Sequence, residues 1–319
     1  MTRFIIDARG SWSGGGRAFL ANAHYAARRH PNLLALGDPN GSQATPVVPR
    51  NLPTKMSALR RPFLLIPQNA WAWHGPTHGP RSYTRRAGLR AGAEVSMKAA
   101  QGIIRIGPMV PARAKSHPTF LPNVLDEQFE GALEKSYEVK IEYPTDYILG
   151  LGSLNAYRNM ETLIEAHQLY IRRGGHRSLH ILGAGDATYR KYLGQPPGVT
   201  FHGAVSRADT LAWMRNSALT VLPSLVEASP VTVLEAQVVG SPLAVSRIAG
   251  HTYMLDEGLL HSTFSPLDTH VLSKLLAEEH SRPVAPISDA NHRQQRREWW
   301  SDLLAQQLTD LSDNNDTGP

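Results

Sequence analysis

The feature that most narrows what this chain can fold into is an alternation of short apolar runs with helix-length segments. After Pro144, "DYILGLGSL" reads as strand and turn, and "METLIEAHQLYIRRG" as an amphipathic helix with Leu163, Ala166 and Tyr170 on one face. "SLHILGAGD" reads as a strand entering a glycine turn, "VTFHGAV" as a strand and "ADTLAWMRNS" as a helix. "ALTVLPS" is a strand, "PVTVLEAQVVG" a helix closed by Gly240, and "SPLAVS" a strand. Strands alternating with helices of roughly 10–15 residues imply parallel βαβ units.

A comparable run precedes Pro144. "RFIID" reads as a buried strand, "SWSGGGR" as a glycine loop and "AFLANAHYAARRH" as a helix. "NLLALG" and "PFLLIPQN" are further strands, and "AGAEVSMKAAQGIIRIG" is a helix followed by a strand. The Pro-, Ser- and Asn-rich stretch from Gly37 to Pro62 reads as loop, and "SHPTFLPNVLD" as polar punctuation. The expectation is an α/β chain of two Rossmann-like domains, a short N-terminal one over residues 1–143 and a second over 144–292. A helix over 293–311 and a disordered tail over 312–319 complete it.

The 319 residues suffice for two domains with sizeable cores, 41% of them being apolar. The absence of cysteine excludes disulfides and thiolate metal sites. "MTRFIIDARG" lacks a signal-peptide layout, and no apolar run reaches the roughly 18–20 residues that span a bilayer. A soluble cytoplasmic protein is expected, a membrane-peripheral position being left open. The net charge of +6 conceals an asymmetry of +10 over residues 1–143 and −4 beyond. Only Asp7, Asp38 and Glu94 are acidic before Asp126, against 17 Lys and Arg. Such a face is either a solvated surface or a meeting place for something anionic.

In open parallel sheets, ligands bind beyond the carboxyl ends of strands. Glu227 falls in the loop after "ALTVLPS", and Glu235 in the first turns of the following helix, so both can face one crevice. A carboxylate accepts two hydroxyl hydrogen bonds at once, which suits the vicinal diols of sugars and ribose. The backbone N–H groups of Ser229 and Val231, near that helix start, can receive anionic or polar oxygens. The plainer reading has Glu227 capping the helix and Glu235 on the surface.

The stretch as a whole resembles the family-4 retaining glycosyltransferases of the GT-B fold, in which two Rossmann-like domains face a cleft. Their pattern is met at Pro223, Ser224, Glu227, Pro230, Glu235, Ala236, Gly240, Pro242, Ser246 and Gly250. Upstream, "LGSLNAYRNMETLIEAH", "LHILGAGD" and "VTFHGAV" resemble further family elements. The resemblance implies that Glu235 binds donor ribose hydroxyls and Glu227 the transferred sugar. The donor would also meet Pro230 and the neighbouring N–H groups. Arg158, where the family usually has Lys, would contact the diphosphate beside Asn159, and a guanidinium can do so bidentately. Ser153 stands where many members carry Arg, and Ala228 where they carry Gly.

The N-terminal half resembles the family more thinly. "SGGGRAFLANA" is similar to its first glycine loop, where Gly15 and Gly16 would admit the donor phosphate and sugar, and "PNVLDEQF" is similar to its Pro-Asn-Gly-Val-Asp without the glycine. "LLIPQNAWAWHGPTHG" falls where many members carry a pocket histidine; Asn69 occupies that neighbourhood, with His74 or His78 as substitutes unless they are ordinary loop residues. Trp71, Trp73, Arg85 and Arg86 join the two histidines as candidate acceptor-side residues.

The reaction implied is sugar transfer with retention from a nucleoside diphosphate sugar, without cofactor and, lacking a DxD motif, without metal. The acceptor would be an anionic lipid or a glycan, with modified nucleic acid as an alternative. Two rival readings are a catalytically idle sugar-nucleotide binder and a dinucleotide-dependent oxidoreductase suggested by "GAGD" and "GGGR". Neither glycine run completes G-x-G-x-x-G with a following acid.

Overall fold

The computed structural model describes residues 4–9, 15–38, 43–49, 62–68, 70–74, 79–142, 146–255, 261–280 and 289–316. The chain divides into two compact units: Met1–Glu127, Glu227–Val231 and Ala290–Pro319 form one, and Gln128–Val226 with Thr232–Asp289 form the other.

In the first unit, β1 (Phe4–Asp7) leads into α1 (Gly15–Arg29), β2 (Leu34–Gly37), β3 (Thr45–Val48) and β4 (Leu64–Leu65). Then come α2 (Trp71–His74), α3 (Gly79–Ala99), β5 (Gly102–Arg105) and β6 (Ser116–Phe120). The strands pair in parallel in the order β2-β1-β3-β4-β5-β6. Two strands fall where the sequence reads as loop or punctuation. Strand β3 lies inside the stretch Gly37–Pro62 and pairs with both β1 and β4, although Pro46, which brings no N–H to the ladder, sits opposite Ile5. Val47 and Val48 are fully buried, and that burial outweighs the proline. Strand β6 is an edge strand with Pro118 inside it, half exposed and therefore polar.

The second unit opens with α4 (Gln128–Ser136), followed by β7 (Ile148–Leu151), a 3₁₀ turn (Ala156–Arg158) and α5 (Met160–Arg172). It continues through β8 (Leu179–Leu182), α6 (Ala187–Leu193), β9 (Val199–Gly203), α7 (Arg207–Asn216), β10 (Leu219–Leu222) and α8 (Val231–Val238). Strand β11 (Leu243–Ser246), α9 (Ala249–Thr252), β12 (His261–Phe264) and α10 (Thr269–Leu275) complete it. Its sheet is also parallel, in the order β12-β11-β10-β7-β8-β9. Strands β7, β8, β10 and β11 are buried along their whole length, as a parallel sheet covered on both faces requires. Leu163, Ala166 and Tyr170 of α5 do pack on this sheet. A capping box between Ser206 and Asp209 starts α7.

The last helix, α11 (Ala290–Asp316), packs in the first unit rather than the second. Trp300 meets Phe19 of α1 edge-on at 5.5 Å, Asp302 accepts from Arg29 and pairs with His30, and Gln307 donates to Thr119. The helix runs to Asp316, into the stretch expected to be disordered, because nothing between Thr309 and Asp316 breaks it; Gly318 and Pro319 come later.

Several buried histidines in the second unit are held neutral. Burial, with a smaller contribution from His202, pushes His180 down to about 4, and its Nδ1 lies 2.9 Å from His202 Nε2. His251 is likewise pushed down to about 4, mainly by burial, and burial lowers His167 and His202. The unfolded chain then binds more protons between the ordinary histidine pKa of about 6.5 and the folded values. Stability should therefore be complete above about pH 6.5 and fall as the pH drops toward 4, by on the order of 2 kcal/mol at pH 5 for each of His180 and His251. Calorimetric melting across pH 7.5 to 5 checks this; a constant melting temperature there would contradict it.

Candidate functional site

Strand order locates the crevices. In the second sheet the chain proceeds from β7 outward to β8 and β9, then returns to the other side of β7 with β10. The loops leaving β7 and β10 therefore diverge, and the space between them is where an open parallel sheet takes a ligand. In the first sheet the reversal lies between β1 and β3.

The β7 loop is anchored from beneath by the β8 loop. Gly152 N–H donates to Leu182 O at 3.1 Å, Leu154 N–H to Ala184 O at 3.0 Å, and Asp186 N–H to Leu154 O at 2.9 Å. This contact needs glycine: a Cβ on Gly183 would sit 2.1 Å from Gly152 O, and one on Gly185 2.3 Å from Leu154 O. The "GAGD" glycines thus serve loop-on-loop packing, which gives them a reason independent of any dinucleotide.

On that platform, Asn155 caps the 3₁₀ turn through a 3.2 Å bond from Arg158 N–H and donates to Ser153 Oγ at 2.8 Å. Arg158 projects from the turn, its Nη1 3.4 Å from Ser224 Oγ in the β10 loop and its guanidinium 5.4 Å from the Tyr157 ring centroid. Burial lowers the Arg158 pKa, opposed by Tyr157; the residue as a whole is half-buried, so its cation is partly desolvated yet still open to an anion. Ser153, Arg158 and Ser224 are thus brought together at the β7–β10 reversal.

Asn159 has different work from donor contact. It is fully buried at φ 56°, a left-handed conformation that asparagine tolerates better than most residues. Its Nδ2 donates to Pro223 O at 3.0 Å and Pro266 O at 2.7 Å, while its Oδ1 accepts from Thr162 at 2.8 Å. The side chain therefore ties the β7 loop to the ends of β10 and β12, which sets the reach of Arg158.

Glu235 lies one turn into α8 and is only 9% exposed, so it is no surface residue. Its Oε1 accepts from Arg207 Nε at 2.7 Å, and the Arg207 guanidinium lies 5.2 Å from the Phe129 ring centroid. Arg207 was not apparent from the sequence, because it stands 28 residues away at the start of α7. The pairing orients a carboxylate whose burial unpaired would be costly.

In the first unit, Glu227 is half-buried, and Ser229, Pro230 and Val231 are buried. Ser229 is pinned by Asn123, whose N–H donates to Ser229 Oγ at 2.8 Å and whose Nδ2 donates to Ser229 O at 2.9 Å. Asn123 belongs to the "PNVLD" stretch; the signal was there, its use was not. Gly15 and Gly16 open α1 directly after the β1 loop, so they lie beside the β1–β3 reversal. All three early acids are engaged in ion pairs: Arg9 bridges Asp7 at 2.7 Å and Asp38 at 2.8 Å, and Glu94 takes Arg113 at 2.6 Å.

The acceptor-side candidates divide. Trp71, Trp73 and His74 form α2, and Arg85 and Arg86 lie in α3. Trp73 packs on the core around Phe63 and Met97 and donates its indole N–H to Glu94 at 2.9 Å, so its ring is committed to packing. His74 and Arg90 are exposed, and Arg86 is half-buried. Asn69 and His78 lie outside the described residues. Among the described residues no cluster of three metal-ligating side chains occurs, and no helix is long and apolar enough to cross a membrane.

Residues 145–276 match the family model described as Glycosyl transferases group 1, a span from the start of β7 to the end of α10. No curated protein matches the chain. Among solved structures, HepE from Anabaena in complex with UDP and glucose aligns with a TM-score of 0.62 at 11% identity, over 98% of this chain and all of that one. Sucrose-phosphate synthase from Thermosynechococcus elongatus gives 0.58 at 13% identity, over 98% and 99% of the two chains. A UDP-forming trehalose-phosphate synthase from Burkholderia xenovorans in complex with glucose-6-phosphate gives 0.54 at 13%, over 95% and 78%. Two parallel six-stranded sheets, matched nearly end to end by these structures, establish the GT-B fold.

Proposed function

We propose that the chain is a retaining glycosyltransferase that moves a sugar from a nucleoside diphosphate sugar to an anionic or sugar-bearing acceptor. The observation that carries this reading is the half-buried cation of Arg158 beside Ser224 at the β7–β10 reversal, within the segment that matches the glycosyltransferase model. The structural neighbour with bound UDP and glucose supports a nucleotide sugar as donor.

On this reading the bond between the sugar C1 and the β-phosphate oxygen breaks, and C1 joins the acceptor oxygen on the same face. The acceptor proton passes to the departing phosphate. Arg158 stabilises the charge that grows on that phosphate, backbone N–H groups assist, and the sequence offers no DxD motif for a metal. Activity is accordingly expected to survive EDTA; silencing by EDTA with rescue by a divalent ion would overturn the metal-independent scheme.

Glu235→Ala should weaken nucleotide binding, each lost ribose bond to the carboxylate being worth about 1.5–3 kcal/mol at most. Glu227→Ala should mainly lower turnover, because its contacts with the sugar tighten toward the transition state. Calorimetric titration of UDP-, GDP- and ADP-sugars, with turnover of the one that binds, tests both, and wild-type behaviour of the two variants would remove the two-glutamate assignment.

The acceptor reading rests on charge. Helix α3 carries Arg81, Arg85, Arg86 and Arg90 within a segment otherwise poor in acids, which suits an anionic lipid headgroup or a phosphorylated glycan. Binding to anionic vesicles should fall steeply between low and moderate salt and weaken when Arg85 and Arg86 become Ser. Stronger retention of a DNA duplex than of vesicles would favour modified nucleic acid instead.

A further inference from the structure

A chain of hydrogen bonds runs from Arg158 through Ser224 and Ser246 to a buried histidine. His251, in α9, is fully buried. Its Nδ1 lies 3.0 Å from the Ser246 carbonyl oxygen and 3.0 Å from Ser246 Oγ. A carbonyl can only accept, so Nδ1 carries the proton and Nε2 of the neutral ring is a lone-pair acceptor. Ser246 Oγ in turn donates to the Ser224 carbonyl, and the Ser224 hydroxyl meets Arg158 Nη1. Nε2 itself has no hydrogen-bond partner among the described residues. A fully buried acceptor left so is costly and asks for an explanation. That chain of hydrogen bonds through Ser246 and Ser224 links the ring to Arg158, whose charge weighs against protonation of the imidazole.

We propose that His251 is a positioning residue for Arg158: its Nε2 accepts from one water, which in turn accepts from the guanidinium, while Ser224 holds the Nη1 end of the same group. The imidazole is suited to this because its tautomer is locked by Ser246, so it always offers a lone pair and never a competing N–H. Neutrality matters equally, since an imidazolium there would repel the cation it serves. The role extends the donor site to α9, an element that sequence spacing left outside it, and it rests on the reading of Arg158 as the diphosphate cation.

The test is a double-mutant cycle read by calorimetric binding of UDP, GDP and ADP, whose terminal phosphate carries the charge of the departing group. Arg158→Ala should weaken the nucleotide that binds by roughly 30-fold or more. His251→Asn keeps an N–H for Ser246 but removes the Nε2 acceptor, and should weaken it about tenfold with a melting temperature close to wild type. In the Arg158→Ala background, His251→Asn should change the affinity less than twofold. An undiminished tenfold loss there, or no loss in the single variant, overturns the positioning role. Failure of Arg158→Ala to weaken any of the three nucleotides would instead overturn the reading of Arg158. Should His251→Asn not fold, the wild-type protein still decides: addition of the nucleotide that binds should shift the ¹⁵N resonance of His251 Nε2, and an unmoved resonance at saturation sinks the proposal.

Discussion

Gly183→Ala is expected to lower the melting temperature by on the order of 10 °C, corresponding to about 3–5 kcal/mol. Two costs add. Gly183 has φ 143°, which L side chains rarely adopt, and the new methyl would sit 2.1 Å from Gly152 O, a backbone atom that cannot swing aside. Relief requires parting the β7 and β8 loops, which breaks the bonds that Gly152, Leu154 and Asp186 make across them. Because Ser153 and Arg158 ride on the β7 loop, nucleotide binding should fall in the fraction that still folds. Gly131→Ala is the control: Gly131 lies in α4 with open space where its Cβ would go, and alanine there should stabilise by about 0.5–1 kcal/mol. Thermal melts of both variants check the pair, and equal shifts would mean that the loop contact is looser than its geometry states.

Arg158→Ala should carry the largest functional effect. Turnover is expected to fall about 10²–10³-fold, the range seen when one preorganised group facing developing charge is removed. Affinity for the intact nucleotide sugar should fall much less than affinity for the nucleoside diphosphate, because the terminal phosphate gains charge only as the sugar departs. Arg158→Lys should recover part of the loss, since it restores charge without the bidentate plane. The measurement is steady-state turnover beside titration of donor and product. Equal losses for donor, product and turnover would reduce Arg158 to uniform binding.

What could be read from the sequence follows burial. Strands β7, β8, β10 and β11 are covered on both faces, so each is a continuous apolar run that stands out. Strands β6 and β12 are edges with half-exposed, polar residues, and neither betrays itself; β3 hides behind Pro46. The site shows the same division. Arg158 and Glu235 stand in a spaced motif, whereas Arg207 reaches Glu235 only through folding. That Asn159 ties the β7 loop to the ends of β10 and β12 could not be read from the sequence, because only the fold shows both amide protons spent on Pro223 O and Pro266 O.

The placement of α11 bears on the order in which the protein is made. The first unit starts the chain, yet Trp300, Leu304, Leu308 and Leu311 of its core are supplied by a helix that begins at Ala290. A growing chain therefore exposes Phe19 and the back of α1 throughout synthesis of the second unit. The unit translated first is the one finished last. Its open apolar flank is what a nascent-chain chaperone would meet until Ala290 and the helix behind it emerge.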